Sequence, residues 1–209
     1  MRSYITILFL FLLACNKSSR NTNQSFNLKN KSEQKIEFTE IGNKNLPLFN
    51  FPKRWYVQVY DEAPPMNRED SANQKKMEQL DFFDEVKCKI INKNKYNEIL
   101  MNKKEKLDSL FLIDSISIAN RRLLYIKYYK TLNYDSSPKE KGIDILIYDK
   151  NRLVKRINAY SNKSYPYAVE KKVGYLDKSG ILYTKTFEID EEGVSYVKSE
   201  KINCNDFLK

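Results

Sequence analysis

No histidine occurs in the 209 residues. That removes Ser-His-Asp and Cys-His catalysis, imidazole zinc sites and the commonest general base near neutral pH. Gly-x-Ser-x-Gly and a glycine-rich phosphate loop are also missing, and the five glycines are scattered. Carboxylates remain, and two of them suffice for glycoside hydrolysis. Asp61, Glu62, Asp81, Asp84, Glu85 and Asp114 are the candidates, but none stands in a distinctive motif. Asp149, Asp177 and Asp190 lie in separate turns without the dense ligand ladder of a calcium loop. The expectation is a non-catalytic protein with no metal and no cofactor. A carboxylate-dependent hydrolase of envelope glycans and a lipid carrier are the alternatives.

Aromatic residues are the other chemical lead, with fifteen tyrosines in the chain. Tyr125, Lys127 and Tyr129 alternate and so share one side of a strand. Tyr165 and Tyr167 form a second group beside Lys163. Exposed, these five residues would be a binding face for a sugar or a protein. Packed against a core, they would be cross-strand pairs, which is the reading the pattern favours.

The N-terminus carries the most specific signal. An apolar run from Tyr4 to Leu13 ends in Leu12-Leu13-Ala14-Cys15. It is far shorter than the roughly 20 residues a membrane-spanning helix needs, and it has signal-peptide form. The four residues resemble the lipobox of bacterial lipoproteins. That resemblance covers about the first 15 residues. It implies cleavage before Cys15, a diacylglyceryl thioether on Cys15 and a membrane anchor through that lipid. It also implies a cell-envelope location. Asn16 is not the Asp that favours inner-membrane retention, and Lys17 and Arg20 stand where surface-display signals carry acids. Both point to the periplasmic face of the outer membrane in a cell with two membranes. An exported anchor argues against nucleic acid as the partner, although the chain is basic at +10. A protein or glycan partner fits better, for example in an immunity-type or envelope-assembly role. With Cys15 lipidated in an oxidising compartment, Cys88 and Cys204 are either a disulfide pair or two separate buried thiols.

These features need a scaffold. Residues 1–14 read as the signal peptide and 15–32 as a polar tether unable to bury enough surface to fold. Residues 33–209 read as one β-rich domain. Its first half has short strands at Lys35–Ile41, Trp55–Tyr60 and Val86–Ile91. Two helices are expected there, one capped at Ser71 and one over Lys95–Asp108. From Leu110 the apolar period becomes two. The expected strands are Leu110–Ile118, Leu123–Thr131, Ile143–Tyr148, Leu153–Tyr160, Lys171–Leu176, Ile181–Ile189 and Val194–Ile202. Asp-led turns at 149, 177 and 190 join successive strands. The fold class is therefore mainly β: an antiparallel meander with one or two helices in the first half.

Overall fold

Alternation of apolar and polar residues from Ser109 onward produces seven long strands in succession. The computed structural model describes residues 36–46, 54–55, 68–100, 107–131, 139–190 and 193–209. The long strands are β4 (Ser109–Ile118), β5 (Arg121–Thr131), β6 (Lys139–Asp149), β7 (Arg152–Ser164), β8 (Val169–Leu176), β9 (Ile181–Asp190) and β10 (Gly193–Asn203). Each pairs antiparallel with the next, so the meander expected of the second half is present. Two short strands extend the sheet: β2 (Arg54–Trp55) beside β10, and β3 (Lys89–Ile90) beside β4. A further short strand, β1 (Ile41–Gly42), pairs with the end of β8.

Asp177 builds the β8–β9 turn, whereas Asp149 pairs with Arg121 at 3.0 Å. Asp177 Oδ1 accepts from the Ser179 N–H at 2.9 Å, the Ser179 hydroxyl at 2.6 Å and the Ile181 N–H at 2.9 Å. Those bonds hold the chain while Gly180 turns through a φ of 87°, where a side chain would be strained. In the β6–β7 turn the positive φ falls on Lys150, not on the neighbouring Asn151.

The first half is less regular than its sequence suggests. Of the expected strand Lys35–Ile41 only Ile41 pairs, together with Gly42 in β1, because this segment packs on the sheet's inner face instead of joining an edge. Phe38 N–H donates to Lys178 O at 3.1 Å, and the Thr39 hydroxyl donates to Asp114 at 2.5 Å. Val86–Ile91 narrows to the two residues of β3. Most of Trp55–Tyr60 lies outside the described residues. Helix α1 covers Arg68–Gln79, so it begins three residues before the expected cap at Ser71. Helix α2 is a single turn, Tyr96–Leu100, entered through a 3-10 turn at Lys93–Lys95. Residues 101–106 lie outside the description, and by Ser109 the chain is already strand.

The sheet is covered on both faces. Inside, Leu123, Tyr125, Ile143, Ile145, Ile157, Val173 and Phe187 pack with Phe38, Leu46, Leu80 and Phe83 in one cluster. Residues from five strands thus share one core, so the sheet coils around it. Outside, Leu110, Leu124, Ile126, Leu146 and Tyr148 pack beneath Tyr96 and Leu100 of α2. The Leu110 N–H donates to the Tyr96 hydroxyl at 2.8 Å, and the Tyr148 hydroxyl donates to Ile99 O. Among the described residues, no helix is long and apolar enough to cross a membrane.

Candidate binding grooves

Three lysines from three strands meet at one end of the inner face. Lys127 on β5 is buried and donates to Phe83 O at 2.7 Å. Its ammonium lies 4.2 Å from the centre of the Phe83 ring, and that of Lys141 on β6 lies 4.9 Å away. Lys171 on β8 pairs with Asp81 at 3.2 Å. The Tyr160 hydroxyl also donates to Asp81, at 3.0 Å. Phe83 stacks on Tyr160 and meets the Tyr129 ring edge-on, each at 5.3 Å. Asp81-Phe82-Phe83 is therefore a stopper in the coiled sheet.

Two of the candidate acids share a lysine here, Lys141 lying 3.9 Å from Asp81 and 3.5 Å from Asp84. Burial alone would raise the Asp81 pKa. The Lys171 ammonium, the Phe83 N–H and Lys141 outweigh it and hold this carboxyl below its usual range. A glycosidase acid needs the opposite shift. Asp114 is bonded by Thr39 and by the Ser115 N–H at 2.7 Å. Glu85 is exposed on the surface, and Asp61 and Glu62 lie outside the described residues. No group of three or more Cys, Asp or Glu among the described residues is placed to hold a metal ion.

The five residues of the candidate tyrosine–lysine face do not form one face. Tyr125 is fully buried and Lys127 nearly so, while Tyr129 is half-buried against Phe83. Phe82, Phe83 and the 36–46 segment cover the side of β5 on which they lie. Tyr165 and Tyr167 are exposed in the β7–β8 connection, Tyr167 at 81%.

Cys88 and Cys204 are separate free thiols, Cys204 buried and Cys88 partly exposed, and not the two buried thiols of the alternative reading. Burial, aided by Asp177 and Asp206, pushes the Cys204 thiol up to about 12. The lipobox residues Leu12, Leu13, Ala14 and Cys15 lie outside the described residues.

Two surface grooves bring side chains from several elements together. The first, of about 420 Å³, lies between α2 and the β3–β4–β5 edge. Ile90, Ile91, Ile99, Leu112 and Leu124 give it an apolar lining. Ile90 stands 77% exposed on its β3 edge. Lys95 and Arg122 belong to its lining and are exposed, against the single carboxylate of Glu98.

The second groove, of about 400 Å³, crosses β6 to β10 on the outer face. Register explains it: Gly142 pairs with Ser161, Ser161 with Lys172, Lys172 with Thr186, and Thr186 with Lys198. Small residues at one level make a floor, and long side chains beside them make walls. Tyr128 closes the β5 end by lying over Gly142, where a Cβ would come within 2.4 Å of its ring. The walls are ion pairs: Lys163–Glu170 at 2.9 Å, Lys172–Glu200 at 3.2 Å and Lys198–Glu200 at 3.5 Å. The Thr186 hydroxyl in the floor is buried without a hydrogen-bond partner. A larger hollow of about 740 Å³ at the β6–β7 turn is lined mainly by the consecutive residues Asp149–Val154, so little converges there.

Neither groove emerges from the sequence reading. The visible signal for the second is Thr186, a small polar residue within strand β9. The first has no local signal, because β3, α2 and β5 meet only in three dimensions. The chain matches no protein-family model, no curated protein and no solved structure.

Proposed function

We propose that this chain is a lipid-anchored envelope protein that acts by binding, without catalysis, and that its partner is an acidic protein. Leu12-Leu13-Ala14-Cys15 supports the anchor. The observation that carries the partner is the first groove: an apolar trough with Lys95 and Arg122 in its lining and exposed Ile90 on its edge. An exposed isoleucine beside an apolar trough has the form of an interface anchor. The surrounding cations steer toward a negatively charged surface. Self-association through this groove is disfavoured, because a second copy would bring the same cations.

The anchor and the groove are tested separately. Cys15→Ser is expected to abolish labelling by radioactive palmitate and to release the protein from the membrane fraction; retained label overturns the anchor. A photoreactive amino acid at Ile90, introduced in living cells, is expected to yield a discrete adduct with an acidic envelope protein. The adduct disappears on Lys95→Glu. The same probe at exposed Lys178 serves as the control. No adduct at position 90, or the same adduct from both positions, overturns the partner reading.

A further inference from the structure

We propose that the second groove, across the outer face of β6 to β10, is a binding site for an uncharged oligosaccharide. Its chemistry is independent of the apolar groove beside α2.

The ion pairs argue for an uncharged ligand. Lys163 faces Glu170, and Lys172 and Lys198 both face Glu200. No ammonium in the groove lacks a carboxylate, so a phosphate would have to displace an existing partner. An ammonium only donates and a carboxylate only accepts, whereas hydroxyls such as those of Ser161 and Thr186 do both. Vicinal sugar hydroxyls also do both, and they match a wall on which donors and acceptors interleave.

The floor supplies the second argument. Thr186 is only 6% exposed and its hydroxyl has no partner. A buried hydroxyl left unbonded is a standing cost that an entering hydrogen-bonding ligand removes. Ser161 lines the same floor two strands away.

Shape supplies the third. Four strand spacings make the groove roughly 19 Å long, which suits a short chain of rings better than one ring. A register shift between Tyr196 and Lys198 lifts Val197 to the rim, 52% exposed. It offers the C–H face of a sugar ring an apolar surface at the β10 end, opposite the Tyr128 ring at the β5 end.

The test uses the full-length lipidated protein in a zwitterionic detergent that contains no sugar. Maltotetraose and chitotetraose are titrated by calorimetry, with pyrophosphate and an oligoglutamate peptide as competing chemistries. At least one tetrasaccharide is expected to bind saturably. Ser161→Leu, which fills the floor, is expected to weaken that binding at least tenfold. Lys198→Ala, at an exposed rim position, weakens it less and keeps the fold. Thr186→Val is expected to weaken binding while raising Tm by about 2–4 °C, because it removes an unpaired buried hydroxyl. The proposal is overturned if neither sugar binds at 10 mM, or if pyrophosphate or the peptide binds in their place. Binding that survives Ser161→Leu overturns it as well, and so does a Thr186→Val variant with unchanged or lowered Tm.

Discussion

Lysines 171 and 172 are neighbours on β8 and point to opposite faces of the sheet. Each makes an ion pair of 3.2 Å, yet the two pairs serve different ends. Lys171 reaches inward to Asp81, among the rings of Phe82, Phe83 and Tyr160. Lys172 reaches outward to Glu200, which it shares with Lys198 at an open groove. Inside, Asp81 also accepts from Tyr160 and from the Phe83 N–H at 3.2 Å, so its lone pairs are engaged and its position fixed. Outside, the pair is only slightly more exposed, 17% and 35% against 11% and 29% for the inner one, but Glu200 is divided between two lysines and can rearrange when a ligand arrives. An identical contact distance therefore says little about what a charge pair does; what surrounds it decides.

The sharpest way to break this contrast is to remove the inner stopper. Phe83 is fully buried, ringed by two tyrosines and two ammonium groups. Phe83→Ala is expected to cost about 3–5 kcal/mol in urea unfolding, the largest effect of any change discussed. A cost below about 1 kcal/mol would mean that the Asp81–Phe83 turn is a loosely held flap.

Asp81→Asn tests the charge on the same turn and is expected to cost about 1–3 kcal/mol at pH 7. Its pH dependence has a definite sign. The folded-state pKa of Asp81 is held below its usual range, despite burial, by Lys171, the Phe83 N–H and Lys141. The carboxylate thus contributes its full stabilisation above the unfolded value near pH 4 and loses it as the pH falls through the lower folded value. The stability gap between wild type and Asp81→Asn should close on acidification. A gap that stays constant from pH 7 to pH 2 would show that the ionised form is not what holds the turn.

Much of the sheet was legible in the sequence because its signals are local. Ile143, Ile145 and Ile147 alternate, and Asp177 enters a turn that ends in Gly180; a few residues contain the whole instruction. Whether a face is covered is not local. The period-two pattern placed Tyr125, Lys127 and Tyr129 on one side of β5. It could not tell that Phe83, more than forty residues earlier, would lie over them. Each groove also depends on register across several strands: Ser161 and Thr186 share a floor only because Lys172 pairs with both. The first-half strands are shorter than their pattern for a related reason. Residues 36–40 have an extended pattern, but they pack on the inner face, and among the described residues the pairing begins at Ile41, with the end of β8.

The smallest expected effect is the most direct measure of the difference between the two faces. Double-mutant cycles on Lys171–Asp81 and Lys172–Glu200 compare two pairs of equal length on one strand. The outer coupling should be about 0.2–1 kcal/mol, as for ion pairs open to solvent. The inner coupling should exceed it, because the Tyr160 hydroxyl and the Phe83 N–H fix Asp81 in place and leaving the nearly buried Lys171 without its carboxylate strands a charge. Raising the salt to 1 M, where the screening length is about 3 Å, should shrink the outer value much more than the inner one. Equal couplings with equal salt dependence would mean that the outer pair is as enclosed as the inner one. The groove would then be closed to solvent, and a site that depends on sugar hydroxyls reaching Thr186 would have no entrance.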